Sequence, residues 1–203
     1  MSDITLYGTH LSGHAHRVAL LLRMLGLTYD FAEAGAPVRA TAEFKAMNPL
    51  GQIPVLRDGG LVLADSNAIL VYLAKRYDKS GQWLPNDAAG AAAVQRWLSV
   101  AAGEVRFGPA LARAVPLFGV PGDVDWAKAL SARLLAFMDR HLDRRAFLAA
   151  DHATIADLAC YSYVAHAPEG GIDLAPYGNV RAWLGRVEAL PGFQPMPTSA
   201  VPG

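Results

Sequence analysis

Asn48-Pro49-Leu50-Gly51-Gln52-Ile53-Pro54-Val55-Leu56, then Arg57-Asp58-Gly59-Gly60, then Leu61-Val62-Leu63-Ala64-Asp65-Ser66-Asn67-Ala68-Ile69 reads as two short strands and the start of a helix. The apolar runs Ile53–Leu56 and Leu61–Ala64 flank an Asp-Gly pair, a strong hairpin signal. A helix follows from Ser66 to Tyr77, with Ile69, Leu70, Leu73 and Tyr77 as its apolar stripe. On the other side, Pro49 stops a short helix over Thr41–Met47, because the residue before a proline avoids the helical region. Further back, Ile4–Tyr7 is a run of strand formers ended by Gly8, and Thr9–Gly13 is a loop. A helix from about His14 to Leu25 carries Val18, Leu21, Leu22 and Leu25 on one face and ends at Gly26. Tyr29–Ala34 is a second strand, broken by Gly35-Ala36-Pro37. The order is strand, helix, strand, helix, hairpin, helix. A right-handed crossover sets the first two strands parallel, and the hairpin adds an antiparallel pair.

Beyond Tyr77 the pattern changes. Asp78-Lys79-Ser80-Gly81-Gln82 is polar and Pro85-Asn86-Asp87 follows, so the domain boundary falls here. The division is residues 1–79, a linker at 80–88, and an all-helical part at 89–203. Helices are predicted over Ala88 to about Phe107, over Val124–His141 (Trp126, Leu130, Leu134, Phe137 and His141 on one side), over Thr154–Val164, and over Asn179–Leu190 (Val180, Trp183, Leu184 and Val187 inward). Pro191–Gly203 is rich in proline and reads as irregular.

A chain of 203 residues is comfortable for two units, each with a core of its own. Lys and Arg total 18 and Asp and Glu total 18, so the formal net charge is zero. No basic excess points to nucleic acid or an anionic membrane as partner. The single cysteine, Cys160, excludes an intrachain disulfide and suits a reducing compartment. Met1-Ser2-Asp3-Ile4 lacks the pattern of a signal peptide, and the apolar run Val18–Leu25 is too short to span a bilayer. The cytoplasm is the expected location.

The motif around Asn48–Leu56, the following Leu63-Ala64-Asp65-Ser66-Asn67-Ala68-Ile69 with Tyr72-Leu73, and Thr154-Ile155-Ala156-Asp157 together closely resemble the glutathione transferase pattern. The resemblance spans nearly the whole chain. It implies a thioredoxin-like βαβαββα domain followed by an all-helical domain, glutathione as a substrate, no metal or redox cofactor, and a homodimer. The implied activity is attack of the glutathione thiolate on a small electrophile. The same fold also serves as a non-catalytic ligand-binding or interaction module, and a serine-type site could reduce peroxides with glutathione.

Glutathione carries an ammonium, two carboxylates and a thiol, and each needs a partner. The resemblance makes Ile53-Pro54 a cis turn that leaves the Ile53 N–H and C=O to pair with the extended ligand; the plainer reading is a trans proline opening a strand. Asp65-Ser66 stands at a helix N-terminus, where free N–H groups and partial positive charge favour a carboxylate. There Ser66 helps hold the γ-glutamyl carboxylate and Asp65 pairs with the ammonium, although either residue could be simply an N-cap. Gln52, otherwise a solvated loop residue, and Arg39 are candidates for the glycyl carboxylate.

Thiolate formation requires a donor. Lowering a thiol from about 8.5 by ~2 units takes about 2.7 kcal/mol of preference for the anion. Ser12 matches the serine of serine-type transferases and combines a hydroxyl with a helix terminus. Tyr7, near the end of the first strand, is the alternative. His10, Leu11, Glu104 and Phe107 are expected to line the second-substrate pocket, between the domains. His10, His14 and His16 invite a metal reading, but no carboxylate or cysteine is near in sequence, and on a helix His14 and His16 diverge. A protonated His14 could add positive potential near the sulfur. Thr154-x-x-Asp157 reads as a helix cap, and Cys160 as a buried inert thiol.

Overall fold

The computed structural model describes residues 3–199. Met1 and Ser2, and the last four residues of the proline-rich end, lie outside the described residues. The first part contains β1 (Ile4–Gly8), α1 (Gly13–Met24), β2 (Asp30–Glu33), α2 (Ala36–Ala40), α3 (Ala42–Met47), β3 (Val55–Asp58), β4 (Leu61–Ala64) and α4 (Ser66–Tyr77). The sheet order is β2-β1-β3-β4. β1 runs parallel to β2 and antiparallel to β3, and β3 pairs antiparallel with β4. The expected βαβαββα order is therefore present, with one addition. Gly35-Ala36-Pro37 does not merely break the second strand. Pro37 lies in the first turn of α2, where its missing N–H is of no consequence.

The side-chain alternation of β1 sorts two faces. Leu6, fully buried, joins the main core, while Tyr7 packs edge-on against Phe44 at 6.5 Å, in a small cluster with Ala34 and Val55.

The second part is helical: α5 (Ala88–Val100), a π-helical segment (Ala101–Ala110), α6 (Leu111–Phe118), α7 (Val124–Leu142), α8 (Ile155–Ala165), a 3₁₀ turn (Ala167–Gly170) and α9 (Gly178–Glu188). The helix expected to end near Phe107 instead continues to Phe118 through the π segment, with Pro109 and Pro116 inside the run. A proline lacks the N–H that an interior helical turn uses, and a change of hydrogen-bond spacing absorbs that loss. The expected stripe of α7 is also rotated. Trp126 is 52% exposed, and the buried face is Ala127, Ser131, Leu134, Leu135, Met138 and Leu142. Ser131 tolerates burial because its hydroxyl donates to the Ala127 carbonyl at 2.7 Å. It faces Gly108, where an added Cβ would meet Ser131 Oγ at 2.9 Å. Glycine there lets α7 approach the π segment closely.

α1 packs on α4 within the first part and on α8 across the boundary. One apolar core runs without interruption from Leu6 through Leu21, Leu70 and Trp97 to Leu158 and Trp183. The two parts distinguished in the sequence thus share a single interior. Cys160 lies in it, fully buried, with Sγ 3.8 Å from the Trp97 carbonyl. Burial pushes its thiol up to about 12.

Candidate functional site

A cleft of about 1180 Å³ opens between the sheet edge and the helical part. Two helix N-termini reach it. Ser12 caps α1, its Oγ accepting from the Ala15 N–H at 3.2 Å. A hydroxyl that accepts in this way still has its own proton to donate. Asp65 caps α4, Oδ1 accepting from the N–H groups of Asn67 and Ala68, both at 2.9 Å. Among the described non-glycine residues Asp65 has the one positive φ, 71°, a conformation that costs energy and recurs at functional sites.

The two termini are bound to each other by side chains. Ser66 Oγ lies 3.4 Å from His14 Nδ1 and accepts from Arg17 Nη1 at 3.3 Å. Arg17 Nη1 also donates to Asn67 Oδ1 at 3.0 Å, and Asn67 Nδ2 donates to the Leu98 carbonyl at 3.0 Å. Gly13 sits where a Cβ would strike the Tyr163 ring at 2.8 Å, so the start of α1 presses directly on α8. His14 stacks edge-on against Tyr163 at 4.9 Å. Burial, then the charges of Arg17 and Arg106, hold the His14 imidazole well below its ordinary value. It is neutral at neutral pH, so the protonation on which a positive potential from His14 depended is absent there.

Ile53-Pro54 is a cis peptide on the cleft wall. Gln52 and Arg39 border the same side. Gln52 is held by its carbonyl, which accepts from Asn48 Nδ2 at 2.9 Å, and Arg39 Nη1 reaches the Gly51 carbonyl at 3.4 Å. Tyr7 is not among the residues lining the cleft; its ring packs in the small cluster of Ala34, Phe44 and Val55.

Opposite stands a wall from the helical part: Ala102, Arg106, Ala110, Arg113 and Ala114, with Phe118 and Val120 beyond. His10 and Leu11 line the cleft as expected, His10 stacking on Phe31 at 4.5 Å. Glu104 and Phe107 are exposed and are not among the lining residues. The sequence reading treated this segment as one ordinary helix, whereas the π segment presents Ala102, Arg106 and Ala110 inward. Arg113 ties the Ser12 loop to this wall. Its Nη1 donates to the Leu11 carbonyl at 2.9 Å and its Nε to Glu169 at 2.5 Å. Glu169 also meets His166 Nδ1 at 2.6 Å. Burial pushes the Glu169 carboxyl up, but the hydrogen bonds of His166 and Arg113 outweigh it and hold it below its ordinary value.

Sequence reasoning missed Arg17, Asn67, Arg106, Arg113 and Tyr163. Arg17 was legible in one respect: with Gly13, Leu20 and Leu21 it follows the i, i+4, i+7, i+8 spacing of a buried face. A cation on that face is rare without a polar reason. Among the described residues no group of three or more His, Cys, Asp or Glu is arranged to hold a metal, and no helix is long and apolar enough to cross a membrane. The two ring nitrogens of His16 are engaged by Ser162 Oγ at 2.9 Å and the Gln194 carbonyl at 2.8 Å.

Residues 6–81 match the family model for the glutathione S-transferase N-terminal domain, and residues 120–191 that for the glutathione S-transferase C-terminal domain. The chain is 34% identical to glutathione S-transferase 3 of Zea mays, over 96% of this chain and 93% of the relative. It is 30% identical to glutathione S-transferase GstB of Escherichia coli (strain K12), over 94% and 96%. The crystal structure of a glutathione S-transferase from Pseudomonas fluorescens superposes with a TM-score of 0.88 at 33% identity, covering 96% of this chain and 99% of that one.

Proposed function

This chain belongs to the glutathione S-transferase family, and on that basis we propose that the cleft binds glutathione and activates it through Ser12. The enzyme conjugates glutathione to an electrophilic second substrate. The thiolate forms a carbon–sulfur bond, and the electrophile releases a leaving group or takes up a proton at a neighbouring atom. The observation that carries the reading is the convergence of two capped helix N-termini, at Ser12 and at Asp65-Ser66, on one cleft. Each favours an anion, and glutathione presents two: the thiolate and the γ-glutamyl carboxylate. Asp65 takes the ammonium, the Ile53 backbone pairs with the peptide, and Gln52 and Arg39 attend the glycyl carboxylate.

Ser12 donates to the sulfur. That Ser12 lines the cleft while Tyr7 is not among its lining residues supports Ser12 over Tyr7 as the activating group. The alanines of the facing wall, with Phe118 and Val120, suit an electrophile with apolar surface. Proximity and electrostatic stabilisation of the thiolate are the protein's main contributions to rate. The enzyme works in the cytoplasm as a homodimer.

The test follows the ultraviolet absorbance of the bound thiolate against pH. In Ser12→Ala the bound thiol titrates higher, by roughly 1–2 units for the loss of one charge-assisted hydrogen bond. Glutathione affinity changes little, turnover at neutral pH falls, and raising the pH partly restores it. Tyr7→Phe leaves the titration in place. A thiol raised by Tyr7→Phe and not by Ser12→Ala would make this a tyrosine-type site.

A further inference from the structure

Arg17 is 1% exposed, on α1 beside Ser66 and at the floor of the cleft that both residues border. Among the described residues it has no ion-pair partner within 4 Å, and its Nε and Nη2 have no hydrogen-bond acceptor. Its contacts are Nη1 to Ser66 and Asn67 and the face of the Tyr163 ring, 5.9 Å from the guanidinium carbon. The other ionisable groups around it are His14, His16, Cys160, Asp65 and Arg106. A guanidinium remains charged in proteins, and burying a charge with neither a counter-ion nor a full set of acceptors is costly. The general packing of α1 does not require it, since the neighbouring face positions Leu20 and Leu21 are aliphatic.

The atoms themselves indicate what the cation is for. Nη1 donates to Ser66 Oγ, so the Ser66 oxygen is an acceptor at that contact and the hydroxyl proton is turned to another partner. His14 Nδ1, at 3.4 Å, is a long competitor for it. In front of Ser66 is the cleft, and at Ser66 begins α4, whose N-terminus favours a carboxylate. We propose that Arg17, which borders the floor of the cleft, is a positioning residue for the ligand's γ-glutamyl carboxylate, acting through Ser66 and Asn67. It fixes both side chains and supplies, from a water-excluded position, the positive charge that the α4 terminus alone provides only in part. The bound carboxylate is then the counter-charge that Arg17 lacks. This rests on the reading of the cleft as a glutathione site.

The experiment compares two ligands by calorimetry. One is glutathione; the other is γ-aminobutyryl-cysteinyl-glycine, which is glutathione without the γ-glutamyl α-carboxylate. Wild-type protein binds glutathione more tightly than the analogue. Arg17→Met weakens glutathione by on the order of tenfold and the analogue by less than about twofold. Equal weakening of both ligands, or of neither, overturns the assignment, since a packing role is indifferent to the missing carboxylate. Arg17→Lys keeps the charge but cannot bridge Ser66 and Asn67 as a fork. It gives the same carboxylate-dependent pattern to a smaller degree, and it decides the matter alone if Arg17→Met does not fold: equal loss on both ligands again overturns the proposal. If wild-type protein binds the two ligands equally, the γ-glutamyl subsite itself is wrong, a failure distinct from that of Arg17.

Discussion

Asp65 performs one task in the fold and has a second in the proposed site, and substitution can separate them. Its Oδ1 caps α4 through two N–H groups, and its charge is free to meet an ammonium in the cleft. Asparagine preserves the cap and tolerates positive φ better than most residues, but it is neutral. Asp65→Asn is therefore expected to keep its denaturation midpoint and lose about tenfold in glutathione affinity, as one hydrogen bond to a charged group implies. Asp65→Ala loses the affinity and, in addition, ~0.5–2 kcal/mol of stability. Calorimetry beside urea titration separates the two, and an Asp65→Asn variant with unaltered affinity would remove the ammonium role. Ser12, Gln52, Pro54, Asp65 and Ser66 were readable in the sequence because they lie in contiguous motifs. For Arg17 only its place on a buried face was readable, since its meaning comes from Ser66 and Asn67, some fifty positions away. For His14 the sequence left the charge conditional, because nothing in its own neighbourhood of the chain announces burial against Tyr163 and two arginines.

Among the elements, α8 shows how a local motif acquires a wider role. Thr154 and Asp157 form the expected capping box, with Thr154 N–H donating to Asp157 Oδ2 at 2.9 Å. The other oxygen, Oδ1, accepts from Leu148 N–H and from Trp183 Nε1, each at 2.9 Å. Asp157 thus also joins the preceding loop and α9 to α8, inside the core. Thr154→Ala is expected to cost ~0.5–2 kcal/mol, as an ordinary cap does. Asp157→Ala strands several buried donors at once and is expected to cost ~3 kcal/mol or more. Both are measured by denaturant titration, and neither should move the titration of the bound glutathione thiol. If the two losses were equal, the connecting role would be absent. The cap was legible from four consecutive residues; the contact with Trp183 spans 26 positions and was not. The π segment escaped for a similar reason. Ala101–Ala110 has helical composition, and its changed spacing answers to Pro109 and to the seat of Ser131 under Gly108.

Taken together, the two parts behave as one body, because α1 is buried against α8 and Arg113 fastens Leu11 to Glu169. Arg113→Met leaves the Glu169 carboxylate buried without its arginine partner, an arrangement that costs ~3–5 kcal/mol. It also releases the loop that carries Ser12, so turnover should fall along with the unfolding midpoint. Stability should depend on pH through Glu169 in a defined direction. Its folded value lies below the ordinary 4.5. The stabilisation is accordingly complete above 4.5 and is lost as the pH falls through the lower folded value. Thermal unfolding followed below pH 5 should show this acid-side slope reduced in Arg113→Met; an identical slope would indicate that the pair contributes nothing. The order of elements announced two domains, yet it could not reveal their common interior, which depends on which helix faces meet. That interior has a bearing on survival. An enzyme whose trade is reactive carbon compounds exposes itself to alkylation by its own substrates, and a cysteine is the residue at greatest hazard. The chain has one, Cys160, closed off between α5 and α8 and kept protonated by its surroundings. The sulfur offered to the electrophile belongs to a replaceable tripeptide, while the protein's own thiol is out of reach for as long as the fold holds, so that each catalyst can outlast the poisons it consumes.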